Sequence, residues 1–261
     1  MKRVLVTGAA GQLGLTIKDL ALDYPNLQFE FKTREDLDIT NKKSIEQVFS
    51  DSQYDYCINC AAYTHVEKAE QEPQKARAVN EEAVKNLAYA CLKYDIILIH
   101  ISTDYVFDGE KNSPYLPDDR PNPINEYGKS KWFGEQFIQK VMEKFYIVRT
   151  SWLYSKKHGK NFYKTIVNKA KNGEEIRVTD AQTGCPTNTV SLSRYLLEEL
   201  VLGQKSFGIR HFSDGKAMTW YGFAKHIIQE NGLTEKVNLA ADKNYHTFVK
   251  RPKNSCLIAS N

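Results

Sequence analysis

Short apolar runs separated by amphipathic stretches organise this chain. Residues 3–7, Arg-Val-Leu-Val-Thr, form a β-branched and aliphatic run that stops at Gly8-Ala9-Ala10-Gly11-Gln12-Leu13-Gly14 and passes into a helical pattern over 15–22. Residues 28–32 read as a second strand, 42–53 as a helix and 54–61 as a third strand, which completes a strand-helix-strand unit. A long helix is expected from Pro73, a residue favoured in a first turn, to residue 94. Residues 96–101 are nearly all apolar, the pattern of a central parallel strand buried on both faces. The stretch 107–126 holds Pro114, Pro117, Pro121 and Pro123, too many for a helix interior, and a helix follows from Tyr127. Residues 145–150 read as one more strand.

Beyond Trp152 the alternation weakens. A helix over 161–172, a strand over 175–178, the turn-rich Gly184-Cys185-Pro186-Thr187 and helices over 190–201 and 219–230 are expected, with Thr219 as an N-cap. No linker, low-complexity segment or internal repeat interrupts the chain. The expected fold is α/β: a Rossmann-type doubly wound parallel sheet over 1–151, with a smaller C-terminal substrate-binding lobe mainly over 152–261. The helix over 190–202 is expected to pack back on the first unit.

Composition narrows the class. The chain has 261 residues, 41% hydrophobic and 26% charged, which suits a water-soluble globular protein with a large core. A net charge of +4 from scattered Lys and Arg gives no basic stripe, so nucleic acid is not an expected partner. No apolar run approaches the ~18 residues of a membrane span, and no cleavable signal pattern opens the sequence, so a cytoplasmic protein without membrane contact is expected. Five irregularly spaced cysteines argue against a disulfide framework. Cys57 and Cys60 fall in a predicted strand, where residues three apart face opposite sides, which disfavours a redox pair. Six scattered histidines form no ligand-spaced cluster, so no metal site is expected.

The candidate chemistry starts from the glycine turn. Gly8, Gly11 and Gly14, placed after the first strand, let backbone amides at a helix N-terminus approach a dinucleotide diphosphate; an ordinary strand-to-helix turn is the other reading. After the second strand, Lys32-Thr33-Arg34 stands where an acid commonly meets the adenosine ribose of NAD, so Arg34 is either a partner for the 2′-phosphate of NADPH or a surface cation. Ser102, Thr103 and Asp104 leave the C-terminal end of a central strand, the edge where open α/β sheets bind ligands. Tyr127 and Lys131 sit four apart on one helix face, an acid beside a cation. A phenol near pKa ~10 moves protons poorly at neutral pH, and a nearby ammonium is expected to lower that value. Thr103, Tyr127 and Lys131 together would make a site for carbonyl chemistry.

With these motifs the chain resembles the extended short-chain dehydrogenase/reductases and, within them, the dTDP-4-dehydrorhamnose reductase family. The closer resemblance rests on Asn59-Cys60-Ala61-Ala62-Tyr63-Thr64 with Val66-Glu67-Lys68-Ala69-Glu70, on Ser102 to Gly109, on Tyr127-Gly128-Lys129-Ser130-Lys131 and on Arg149-Thr150-Ser151-Trp152-Leu153-Tyr154. Weaker matches at Pro186-Thr187 and Arg251-Pro252-Lys253-Asn254-Ser255 extend it almost to the C-terminus. The resemblance implies that Gly11, Gln12 and Leu13 wrap the cofactor diphosphate, that Asp38 and Ile39 bracket the adenine, and that Ala62, Tyr63 and Thr64 lie along the cofactor toward the nicotinamide. Thr103, Asp104 and Trp152 would meet the sugar, and Arg251 the substrate diphosphate; Trp152 as core and Arg251 as a surface cation are the alternatives. It further implies an enzyme that uses NADPH, with NADH as a possible substitute, to reduce a dTDP-4-keto-6-deoxy sugar to dTDP-L-rhamnose, with Tyr127 and Lys131 also touching the cofactor. A homodimer is compatible with it. The family's Asp-Gln pair is separated here by Ala181, and the sequence ends at Asn261 where the family continues, so the chain is either a short version or lacks that segment. Related dehydratases carry an acid where this chain has Tyr105, which disfavours dehydration. A reductase-like regulatory subunit of methionine adenosyltransferase is the alternative from another class, and a reductase of another 4-keto nucleotide sugar is the nearer one.

Overall fold

Six parallel strands lie at the centre of the computed structural model, which describes every residue of the chain except Ser52, Gln204, Lys243, Asn244, His246, Ser260 and Asn261. They are β1 (Lys2–Thr7), β2 (Leu27–Lys32), β3 (Tyr56–Asn59), β4 (Ile97–Thr103), β5 (Phe145–Thr150) and a sixth strand at Gly208–His211, in the order β2-β1-β3-β4-β5-sixth. Val4, Leu5 and Val6 are fully buried, as are Leu98 and Ile99, because helices cover both faces. The sixth strand, paired in parallel with β5 from Gly208↔Tyr146 to His211↔Arg149, escapes the sequence pattern because Gly-Ile-Arg-His carries a single aliphatic residue.

The helices between these strands are α1 (Gln12–Leu20), α2 (Lys42–Ser50), α3 (Val66–Gln71), α4 (Pro73–Arg77), α5 (Ala83–Lys93) and α6 (Glu126–Val141). On one face, Leu5, Cys57, Leu98 and Ile147 pack against Ile45 and Phe49 of α2, Val84 and Leu87 of α5 and Ile138 of α6. On the other, Val4, Val6, Ile58, Ile99 and Val148 pack against Ile17 of α1 and against Leu192, Leu196 and Leu200. The last three belong to a helix that starts as Thr189–Arg194 and continues as Tyr195–Leu202 with π-type bonding.

A third cluster lies apart from the sheet. Tyr163 and Ile166 of the helix Phe162–Lys171, Ile176 and Val178 of the strand Ile176–Val178, and Phe223, Ile227 and Ile228 of the helix Trp220–Glu230 form it. Thr219 caps the last helix by accepting from the Gly222 amide at 3.0 Å.

The single long helix expected over 73–94 is interrupted by a turn of π-helix, Ala78–Glu82, between α4 and α5. That turn directs Asn80, fully buried, at the chain leaving β3: its side chain accepts from the Tyr63 amide and donates to the Tyr63 carbonyl, both at 2.9 Å, and donates to Ser130 on α6 at 3.0 Å. Helix α6 presses on the same turn, and a Cβ at Gly134 would lie 2.3 Å from the Asn80 carbonyl oxygen. A second anchor is an ion pair between Glu135 of α6 and Arg149 of β5, 2.7 Å apart with side chains 0% and 1% exposed. Among the described residues no helix is long and apolar enough to cross a membrane.

Alanine in place of Gly134 would normally stabilise a helix interior. Here the clash with backbone outweighs that gain, and Gly134→Ala is expected to lower the unfolding free energy by about 1–3 kcal/mol, read from the urea midpoint. An unchanged or raised midpoint would show that α6 can move off the π turn.

Candidate active site

The strand order reverses direction at β1, which has β2 on one side and β3 on the other, so the chains leaving β1 and β3 diverge and open a crevice at their C-terminal ends. Gly8, at φ +62°, begins the first of these segments, and a Cβ there would lie 2.6 Å from the Ala61 nitrogen on the second. Gly11 is the N-cap of α1 and brings no side-chain cap to the first-turn amides. Those amides are left for a ligand, at the end of the helix where negative charge is favoured.

Two cavities follow the crevice and share Ala10, Gly11, Cys60, Ala62 and Thr64. One, of about 440 Å³, is lined also by Gly8, Arg34, Asp38, Ile39, Tyr63 and His65. Its Asp38 carboxylate accepts from the Thr40 hydroxyl and amide, and these bonds hold its pKa below the usual carboxylate value. Arg34 extends into solvent, 85% exposed, with its Nε 3.9 Å from Asp38. The other cavity, of about 460 Å³, brings Gln12, Leu13 and Gly14 together with Thr103, Asp104, Tyr127, Lys131 and Trp152. Sequence residues more than 130 positions apart thus share one trough.

At the far end of this trough Thr103 leaves β4, donating to Asp104 Oδ1 at 3.1 Å and accepting from the Tyr105 amide at 3.2 Å. Burial pushes the Asp104 carboxyl up to about 7, against its bonds from Ser255 and Thr103, and its Oδ2 has no hydrogen-bond partner. Tyr127 packs edge-on to Tyr105, ring centroids 5.8 Å apart. Lys131, 2% exposed, donates to the Ile101 carbonyl at 2.7 Å and meets His100 Nε2 at 3.2 Å. Burial lowers its pKa to about 8.

One expectation about these groups needs correction. The Tyr127 phenol is raised to about 12, not lowered, because burial outweighs the opposing effect of the Thr103 hydroxyl beside it. Lys131 does not act on it in this arrangement, since its nitrogen is taken up by Ile101 and His100.

Trp152 adopts φ +48° and stacks on Trp220 with ring centroids 3.6 Å apart and planes 7° from parallel. Gly184 leaves the room for it, since a Cβ there would lie 2.5 Å from the indole. Arg251 does not reach the trough with Thr103. It lines a separate cavity of about 390 Å³ with Phe162, Arg177, Gln182 and Trp220, and its Nη2 pairs with Glu67 at 2.6 Å. The stacked indoles stand between the two spaces, Trp152 lining one and Trp220 the other.

Sequence reasoning missed the loop that covers the glycine turn. Leu153, Gly159 and Lys160 line the trough, Gln12 Nε2 donates to the Leu153 carbonyl at 3.1 Å, and Asn161 donates to Gln12 Oε1 at 3.2 Å. Nothing in the periodicity of 153–161 signals this. His65 and Cys60 were missed as lining residues, although their neighbours in the motif after β3 were not. The five cysteines are unpaired thiols. Among the described residues no group of three or more His, Cys, Asp or Glu side chains could hold a metal ion.

Comparison with known proteins places this geometry. The dTDP-4-dehydrorhamnose reductase of Aggregatibacter actinomycetemcomitans is 38% identical over 98% of this chain and 90% of its own length. The dTDP-4-keto-6-deoxy-D-glucose reductase of Streptomyces niveus is 38% identical over 85% of this chain and 76% of its own. A crystal structure of dTDP-4-dehydrorhamnose reductase from Bacillus anthracis in complex with NADP superposes with a TM-score of 0.94 at 36% identity, over 100% of this chain and 92% of that one. The family model described as the RmlD substrate binding domain matches residues 1–261, and with the doubly wound sheet and its trough in view, the chain belongs to that family.

Proposed function

We propose that this protein is a dTDP-4-dehydrorhamnose reductase, an NADPH-dependent oxidoreductase that converts dTDP-4-dehydro-6-deoxy-L-mannose to dTDP-L-rhamnose. The observation that carries the reading is the single trough joining the α1 N-terminus to Thr103, Tyr127 and Lys131. The residues fit the dinucleotide. Side chains at Gly8 or Gly11 would crowd the neighbouring backbone, and the uncapped α1 amides supply diphosphate donors. Arg34, Asp38 and Ile39 line the space expected for the adenosine end, with Ala62 and Thr64 between it and the reacting end. When bound, NADPH supplies a hydride for the carbonyl carbon.

The chain's own contribution is proton chemistry and orientation. Tyr127 gives its proton to the sugar 4-oxygen, and a pKa near 12 keeps that proton in place until the oxygen gains charge. Thr103 turns its hydroxyl from Asp104 to the same oxygen. Asp104, able to hold a proton near neutral pH, and Trp152, clamped against Trp220, face the sugar. The cavity with Arg177 and Arg251 suits the substrate diphosphate, provided that Arg251 exchanges Glu67 for phosphate. The Streptomyces niveus relative supports a second reading, in which the same chemistry serves the 4-keto sugar of the D-gluco series. Product analysis with both sugars separates the two. A protein that binds NADPH and reduces neither would be a binding subunit, and the enzyme reading would be wrong.

Three outcomes are expected. Tyr127→Phe keeps the ring and should keep NADPH affinity, measured by cofactor fluorescence, while turnover falls ~10²-fold or more; full activity would remove Tyr127 as the acid. Gly11→Val should fold, by circular dichroism, but lose NADPH binding, because its branched side chain stands at the helix N-terminus where the diphosphate must approach. Arg34→Ala should weaken NADPH by roughly 3–10-fold and leave NADH unchanged, as for one exposed charge on a phosphate. Equal losses for both would make Arg34 a surface cation.

A further inference from the structure

Beneath the trough lies a row of polar side chains that the proposed chemistry does not use. The parallel register sets Thr7 opposite Asn59 and Asn59 opposite His100, so β1, β3 and β4 each contribute one residue at the same level. Thr7, Asn59 and His100 are 0%, 1% and 0% exposed, and the row ends at Lys131. Buried in this way, these groups must satisfy one another.

The direction of each bond follows from one end of the row. The Ala61 backbone amide can only donate, and it points at Asn59 Oδ1 at 3.2 Å; the Thr7 hydroxyl donates to the same oxygen at 2.7 Å. Asn59 Nδ2 is therefore the atom 3.0 Å from His100 Nδ1, and it donates. Nδ1 must accept, which puts the imidazole proton on Nε2. This N–H faces Lys131 Nζ at 3.2 Å. An ammonium has three donors and no acceptor, whereas a neutral amine has a lone pair for His100 and an N–H for the Ile101 carbonyl.

We propose that His100 is a positioning residue that, in alkaline solution, holds Lys131 as a neutral amine before the dinucleotide enters, and that cofactor binding is there coupled to proton uptake at Lys131 Nζ. The proposal rests on the NADPH reading. The other titratable groups facing Lys131 are Cys60 at the end of β3 and Glu135 on its own helix; Tyr127 and Asp104 line the same trough. Burial depresses both the His100 and Lys131 values, which leaves His100 neutral and brings the Lys131 amine within reach from about pH 8 upward. An anion in the trough favours the cation. A solvent proton then adds to the Nζ lone pair, the contact from His100 Nε2–H is given up, and no electrons change hands. The new ammonium can stabilise the Tyr127 phenolate left after proton transfer, so in alkaline solution the cation is made when the site is loaded.

The test is isothermal calorimetry of NADPH binding at pH 9 in two buffers of different ionisation enthalpy, which counts protons exchanged. About one unit above the Lys131 value the amine predominates, and wild type should take up a measurable fraction of a proton, up to one per site. His100→Asn keeps an acceptor for Asn59 but is too short to reach Lys131, so its uptake should fall toward zero while NADPH still binds. Asn59→Asp, a second route should the first variant not fold, accepts from Nδ1–H, makes Nε2 an acceptor and should also abolish uptake. A wild type that binds NADPH without uptake, or variants that retain the full uptake, overturn the inference. A wild type that binds no NADPH overturns the cofactor reading, and the inference with it.

Discussion

The buried ion pair of Glu135 with Arg149 is the constraint on which the site's geometry depends. Glu135 also accepts from Ser102 on β4, while Arg149 donates to the Pro117 carbonyl and lies over the Phe107 ring. One charge pair therefore joins α6, β4, β5 and the proline-rich loop. A buried pair of this kind adds little net stability over an apolar contact of the same shape. Its effect is on register, because a slip of α6 would strand two charges without partners, a penalty of about 3–5 kcal/mol. Tyr127 and Lys131, two turns and one turn before Glu135 on the same helix, are held to that register.

Burial on both faces of the sheet sets the chemistry that follows. The strands that deliver Asn59, His100 and Thr103 are apolar on either side, so polar groups at their ends are cut off from water and their protonation is decided by neighbours. Asp104 rises, Lys131 falls and Tyr127 rises for the same reason. Asp104 and Lys131, ordinarily far apart, are brought to about 7 and about 8, while Tyr127 is moved away from Lys131 and keeps its proton.

Residues beyond β5 complete the wall of the trough. Trp152, Leu153 and Lys160 come from beyond β5, yet they face the α1 turn, and the Gln12 contacts to Leu153 and Asn161 tie the two parts together. The aromatic stack of Trp152 on Trp220 separates the trough from the cavity holding Arg251.

The alternation of apolar strands and amphipathic helices was legible from residue 3 to residue 150, because a parallel sheet covered on both faces demands continuous aliphatic runs, and these are visible without neighbours. The glycine turn and the Tyr127-Lys131 pair were legible for a similar reason: each depends on spacing within one segment. The sixth strand was not, since Gly208–His211 is a strand only through its pairing with β5. The π turn at Ala78–Glu82 was hidden too, its irregular bonding made worthwhile by Asn80's contacts to Tyr63 and Ser130, residues 17 and 50 positions away. The sign of the Tyr127 shift was decided by tertiary structure for the same physical reason. Spacing puts a cation on the same helix face, but only the packed fold decides that Lys131 turns to Ile101 and His100 and that burial governs the phenol.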